Sequence, residues 1–293
     1  MVFASSQRSG PCGCGSPRIP SQSHGQQSPA SGREERDDRR HLRRRFQPVF
    51  IAAPQLHREL SPRARERELL SAFASRRVDG LIIVPASHDH SYLLADRRAG
   101  TAIVFVDRPP AFLDADTVLT DNEAGVRRGI RHLISHGHRC IGYLGDRQTI
   151  ATASVRHQGY LEELVAQGIA IDEALVRLGL QGVESAEAAA AEMLALPRSP
   201  TAIFTGQNLI TVGAYRALRR LGLHHRVALV GFDDIELADL LEPRITVIAQ
   251  DRAAMGRTAA ELLFRRLDGD RSPSVHHVIP TRLITRGSGK VRP

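Results

Sequence analysis

The amino-acid sequence predicts an α/β protein of two lobes, each lobe a parallel sheet with helices on both faces. Short, β-branched apolar runs alternate with stretches of helical spacing from Val49 to Ile284, the pattern of parallel strands joined by helical crossovers. The alternation falls into two successive series, which divides the core into two lobes with a cleft between them. Several apolar runs also end in a carboxylate or carboxamide, above all Val227 to Phe232, which is followed at once by Asp233 and Asp234. The carboxyl ends of parallel strands are where open α/β sheets place a polar ligand.

In the first series Val49 to Ala52 reads as a short strand. Ser61 to Arg76 has helical spacing, with Leu69, Leu70 and Phe73 on one face, Ser61 as a cap and Pro62 at the first helical position. Gly80 to Val84 is a strand, Ser91 to Arg98 a short helix and Ala102 to Val106 a strand ending at Asp107. Asn122 to His136 is a helix that Gly137 stops, and Cys140 to Leu144 is a strand ending in Gly145 and Asp146. The second series opens with a helix over Ser154 to Gln167 and a short strand over Leu175 to Leu178. An Ala-rich helix over Ser185 to Ala195, a strand over Ala202 to Thr205 and a helix over Leu209 to Leu221 follow. Beyond Val227 to Phe232 come a strand over Ile245 to Ile248, a helix over Arg252 to Leu267 and one closing strand over Val275 to Ile284.

At 293 residues the chain is long enough for two such lobes. No apolar run approaches the ~20 residues of a membrane span, and no apolar segment follows a basic start, so a cytoplasmic protein with no membrane partner is expected. A formal charge of +8 would ordinarily suggest an anionic partner such as nucleic acid. Met1 to Phe46, however, holds nine arginines against four acids, and Lys290 is the only lysine. The body of the chain is therefore close to ordinary in charge, and so strong a preference for Arg weakens Arg content as a DNA signal. Residues 1–46 are rich in Ser, Gly, Gln, Pro and Arg without apolar periodicity; they are expected to be a disordered basic tail or an amino terminus foreign to the fold. Residues 47–293 form the core.

Metal and catalytic signatures are weak. Cys12 and Cys14 form a Cys-x-Cys with only His24 nearby, and Cys140 opens an apolar run, so neither a disulfide framework nor a metal site is expected. His132, His136 and His138 have the spacing of a helical metal pair, but the glutamate of a hydrolytic zinc site is missing, and Gly137 breaks the helix between the last two. They read as the end of a helix. No Gly-rich phosphate cradle and no Gly-x-Ser-x-Gly elbow is present, so no cofactor and no enzymatic activity is expected.

What recurs is a polar residue beyond an apolar run. For Asp121 and Asp234, capping of a following helix explains the residue as well as ligand binding does. For Asp107, Gln207 and Asp233 the ligand reading is stronger, because several acceptors at the ends of neighbouring strands together bind vicinal hydroxyls. Arg156, in the cap-like Ser154-Val155-Arg156, adds a forked donor.

In order and spacing these residues resemble the lactose-repressor/galactose-repressor (LacI/GalR) family of bacterial transcription regulators, in its effector-binding core of periplasmic-binding-protein type. The matching motifs are Arg77 to Ile82, Val106-Asp107-Arg108-Pro109, Asp121-Asn122 with Gly125, and His132-Leu133 with Gly137-His138-Arg139 and Ile141. Arg156 with Gly159-Tyr160, Val230 to Ile235, Pro243, Thr246 and Gln250 complete the set. Together they span Val78 to Arg286.

The resemblance implies that Arg156 and Asp233 hold an effector's hydroxyls, with Asp107 and Gln250 beside them. Gln207-Asn208 stands where the family usually has Asn-Asp, so Gln207 brings a longer amide to an effector-contact position. The resemblance further implies a first lobe of about residues 47–147 with a segment near 248–275, and a second of about 148–247 with 276–286. The expected partners are a sugar or related polyol, a second copy of the chain, and operator DNA where a DNA-binding head is present. No helix-turn-helix is legible in Met1 to Phe46, so the expectation is a regulator core lacking its reader. The alternative is a stand-alone sugar-binding sensor that does not touch DNA.

Overall fold

A computed structural model describes residues 48–51, 62–74, 78–86 and 89–293. The expected tail over residues 1–46 lies outside the described residues. The first sheet is formed by β1 (Pro48–Ile51), β2 (Gly80–Ile83), β3 (Ala102–Val106), β4 (Asp116–Thr120) and β10 (His276–Ile279), in that spatial order. All of its pairings are parallel. Helices α1 (Pro62–Ala74) and α2 (Leu94–Arg98) connect its early strands. Leu70 of α1 packs with Leu81, Ile83 and Phe105 on one face. On the other face, Met255, Ala259, Leu262 and Leu263 of α7 (Arg252–Leu267) cover Ile82, Val104 and Val118.

The second sheet has the order β11 (Arg282–Ile284), β9 (Thr246–Ala249), β8 (Ala228–Phe232), β7 (Ala202–Thr205), β5 (Ile141–Leu144), β6 (Val176–Arg177). Only β11 runs antiparallel to its neighbour. Helices α3 (Asn122–Ser135) and α4 (Ala151–Ala166) cover one face, where Val126, Ile130 and Tyr160 pack with Tyr143, Phe204 and Phe232. Helices α5 (Val183–Leu194) and α6 (Asn208–Arg220) cover the other, with Ala186, Ala190, Ile210 and Ala214 against Ile203 and Leu229. Close approach on the first face depends on Gly129 of α3, where an added Cβ would stand 2.5 Å from the Phe204 ring.

Four expectations are corrected. Strand β4 is absent from the sequence reading because its run, DTVLT, starts and ends on polar residues. Asp116 is buried all the same, since Arg266 meets both of its oxygens at 2.7 Å. The single closing strand is instead two: Pro280, which cannot donate to a ladder, separates β10 in the first sheet from β11 in the second. Helix α4 starts at Ala151, so Ser154 lies inside it and is no cap. The chain also changes sheet after β4, well before residue 147, because α3 and β5 pack on the second sheet. It returns with α7 and crosses again at residues 279–282.

Candidate ligand site between the lobes

Asp107 follows β3 of the first sheet, and Asp233 follows β8 of the second. Both adopt the left-handed conformation, with φ of 73° and 70°, which is uncommon outside glycine but best tolerated by Asp and Asn. At each site the backbone amide donates across the sheet at 2.9 Å, Asp107 to the Val118 carbonyl and Asp233 to that of Ile248. The turns therefore stay hydrogen-bonded while the two carboxylates face one cavity of about 160 Å³. Holding a non-glycine residue in this region costs of order 1–3 kcal/mol and concentrates at functional sites.

Arg156 reaches the same cavity from the second turn of α4 and is nearly inaccessible, at 5% exposure. Its Nε donates to Asn122 Oδ1 at 2.7 Å and its Nη1 to the Gly206 carbonyl at 2.9 Å. Nη1 also stands 3.5 Å from Asp233 Oδ2, and the guanidinium carbon lies 3.8 Å from the centre of the Phe232 ring. A buried guanidinium is tolerable only with its charge and donors answered in this way. These partners within the protein set its orientation.

Gln250, at the crossover from β9 to α7, donates to Asp233 Oδ1 at 2.5 Å and accepts from the Thr120 hydroxyl at 2.7 Å. Gln207 accepts from the amides of Leu209 and Ile210 at 3.0 and 3.2 Å, so its carbonyl oxygen caps α6 even as the residue lines the cavity. All five residues singled out from the sequence thus surround one space. Asn122 and Thr120, which orient Arg156 and Gln250, flank Asp121 in the chain and carry no sequence signal for that role, since no spacing rule marks a residue that binds another side chain.

Neither alternative cap serves a helix with its side chain. Asp121 stands at the N-cap position of α3, but its side chain makes no capping hydrogen bond and accepts from the Thr281 amide and Arg128 instead. Asp234 precedes no helix and forms a two-pronged pair with Arg286 at 2.9 Å for each oxygen.

Burial pushes the Asp107 carboxyl above its ordinary value, outweighing the nearby Arg156 and Arg108 charges, and Asp233 adds to the rise. An apolar recess of about 380 Å³, walled by Ile82, Val84, Val106, Met255 and Ala259, adjoins the polar cavity and shares Asp107, Asp233 and Gln250 with it. The combination offers acceptors and a fixed cation beside an apolar wall, which suits a small molecule with hydroxyl edges and apolar faces. A larger cleft of about 530 Å³ beside Arg139, Cys140, Asp172 and Arg198 contains none of these residues.

Among the described residues no group of three His, Cys, Asp or Glu side chains could hold a metal ion. His136 Nδ1 meets the His132 carbonyl at 2.8 Å, whereas the His138 ring bridges Thr201 Oγ1 and the Val291 carbonyl at 2.9 and 2.8 Å. The three rings thus serve the end of α3 and the carboxyl-terminal segment. Cys12, Cys14 and His24 lie outside the described residues. No helix among the described residues is long and apolar enough to cross a membrane.

Two largely parallel-sheet lobes, three crossovers and a polar cavity fed from both lobes define a fold of the periplasmic-binding-protein type. The family description "Periplasmic binding protein-like domain" matches residues 130–289. The chain is 34% identical over 229 residues to the HTH-type transcriptional regulator CelR of Thermobifida fusca, covering 76% of this chain and 67% of that protein. Among solved structures it resembles the transcriptional regulator CelR–cellobiose complex, with TM-score 0.68 and 32% identity over 77% of this chain and 70% of the other. It also resembles a regulatory protein of the LacI family from Chloroflexus aggregans, with TM-score 0.70 and 28% identity over 78% of this chain and 83% of the other. The chain belongs to the LacI family of transcriptional regulators. It spans about two-thirds of the length of CelR.

Proposed function

We propose that this chain binds a sugar-like effector between its lobes and couples lobe closure to DNA binding by a homodimer. The observation that carries the reading is that Asp107 from the first lobe and Arg156, Gln207 and Asp233 from the second line one cavity, with Gln250 of the crossover between them. An effector engaging both carboxylates gains most when the lobes are together, and that difference in affinity is the only means by which it can shift their equilibrium. The cellobiose held by CelR supports a neutral, hydroxyl-rich guest, and Asp107 and Asp233 supply acceptors for it.

Exposed apolar residues support the reading that a second copy of the chain docks on the second lobe. Leu237 and Leu240, on the loop after β8, are 58% and 76% exposed, and neighbouring exposed leucines mark a contact surface more often than scattered ones.

Calorimetry with cellobiose on the full chain tests the effector, sedimentation tests the dimer, and fluorescence anisotropy on operator-like duplex across a salt series tests DNA. Binding that is specific and changes with cellobiose supports the regulator. A salt-steep, sequence-blind signal places DNA contact in the arginine-rich residues 1–46 and favours a sensor that acts without an operator. Absence of heat with cellobiose and with other neutral sugars overturns the effector reading.

A further inference from the structure

Three stretches join the lobes: Thr120 to Asn122, Ala249 to Arg252, and Ile279 to Arg282. One guanidinium draws the first and third together. Arg128, on the second turn of α3, places Nη2 3.0 Å from Asp121 Oδ2 and 2.9 Å from the Thr281 carbonyl, and within reach of the Thr281 hydroxyl. The other Asp121 oxygen accepts the Thr281 amide at 2.6 Å, while the Asp121 amide donates to the Ile279 carbonyl at 3.2 Å. The middle stretch enters through Gln250, which meets Thr120 on one side and Asp233 on the other. A path of hydrogen bonds therefore runs from the cavity to Arg128 with a single covalent step, Thr120 to Asp121.

Packing agrees. Thr281 is 5% exposed and presses on α3 at Gly125, where an added Cβ would stand 2.7 Å from its hydroxyl oxygen. Arg128 keeps its Nε buried without a hydrogen-bond partner. A donor left unanswered in this way needs a reason, and the contacts at Nη2 provide it. Arg128 does not line the polar cavity.

We propose that Arg128 is the latch of the hinge, a positioning residue that fixes the first and third crossovers side by side and so sets the lobe angle at which the cavity closes. Its consequence for affinity rests on the effector reading above; its consequence for the lobe angle does not. Without the latch the two crossovers keep only their direct hydrogen bonds, Thr281 amide to Asp121 carboxylate and Asp121 amide to Ile279 carbonyl. The effector must then select the closed arrangement from a broader population.

The test uses the full chain in a background with Cys12, Cys14 and Cys140 replaced by Ser. Spin labels at Arg98→Cys on the first lobe and Ala166→Cys on the second, diluted with unlabelled chain, report lobe separation by electron–electron double resonance without any sugar. Arg128→Met is expected to broaden that distance distribution, and Arg257→Met, on the exposed side of α7, to leave it unchanged. With cellobiose as probe, Arg128→Met is expected to weaken binding about tenfold, or about 1.4 kcal/mol. Superimposable distributions for the wild-type chain and Arg128→Met overturn the latch. Should cellobiose not bind the wild-type chain, the effector reading fails for that probe while the distance measurement still decides the latch. Should Arg128→Met not fold by circular dichroism, Asp121→Asn and Thr281→Val carry the same comparison, each removing one contact, and unchanged distances in both overturn the proposal.

Discussion

Arg156 and Asp233 stand 3.5 Å apart, and each is held by partners other than the other. Arg156 leans on Asn122, Gly206 and the Phe232 ring, while Asp233 takes its short hydrogen bond from Gln250. The pair is oriented but not saturated, so a hydroxyl that donates to Asp233 and accepts from Arg156 fits the remaining capacity of both. Asp233→Ala is expected to weaken cellobiose binding at least tenfold, since each lost charge-assisted hydrogen bond costs about 1.5–3 kcal/mol. Arg156→Lys is expected to do the same, because an ammonium cannot keep the fork that serves Asn122 and Gly206 together. Calorimetry checks both, with circular dichroism confirming the fold; undiminished affinity in either variant removes that residue from the site.

On the proposed reading, Asp107 is expected to make effector binding pH-dependent. Its carboxyl is raised above the ordinary value, chiefly by burial, so the folded chain keeps a proton that the unfolded chain has already released. This group's contribution to stability is thus largest at low pH and diminishes as pH rises through the raised value. A sugar hydroxyl that donates to Asp107 is held more strongly by the ionised form, so affinity is expected to fall as pH drops through that same raised value. Asp107→Asn is expected to remove this acid limb and to raise stability at neutral pH. Titrations that extend from the ordinary carboxylate range up to alkaline pH decide it, and a limb that persists in Asp107→Asn assigns the titration to another group.

Asp116 anchors the first lobe. Burial works against its charge, but two hydrogen bonds from Arg266 and one from the Val275 amide outweigh it and hold its carboxyl below the ordinary range. Stability from this group is therefore present above the ordinary carboxylate pKa and lost as pH falls through the lowered folded value. Asp116→Ala takes both carboxylate contacts from Arg266, which keeps the Asp270 carboxylate at 3.9 Å and the carbonyls of Asp270, Ser272 and Pro273, and is expected to cost about 3 kcal/mol. Urea unfolding measures it, and a loss below 1 kcal/mol would show the pair to be idle.

Two glycines should respond in opposite directions. A Cβ on Gly256, in α7, meets no described atom within 4 Å, so Gly256→Ala is expected to stabilise by about 0.8–1 kcal/mol through helix propensity. A Cβ on Gly213, in α6, would press on the Val183 carbonyl and lie 2.6 Å from Ala186 Cβ. Gly213→Ala is expected to destabilise by about 1–3 kcal/mol through overpacking of α5 against α6. Thermal unfolding of both variants checks the contrast.

Much of the architecture was legible because most of its buried parallel strands are apolar along their length. The runs Ala102 to Val106, Ala202 to Thr205 and Val227 to Phe232 announce β3, β7 and β8 for that reason. Strand β4 was hidden because its burial depends on a distant arginine, Arg266, which local composition does not reveal. The split between β10 and β11 was hidden because a run of apolar and β-branched residues carries no record of which sheet it joins; Pro280 was the one local signal.

By itself the sequence determined the two α/β lobes and the polar ends of their strands, Asp107, Gln207 and Asp233 among them, because periodicity and strand ends are local properties; Gln250 came from the resemblance to the LacI/GalR family. Tertiary structure alone decided which lobe owns α3 and β5, that Asn122 and Thr120 orient the site, and that Arg128 binds two crossovers together. Those relations join residues as far apart as positions 128 and 281. They arise when the chain crosses between sheets three times, and no stretch of sequence contains more than one side of such a contact.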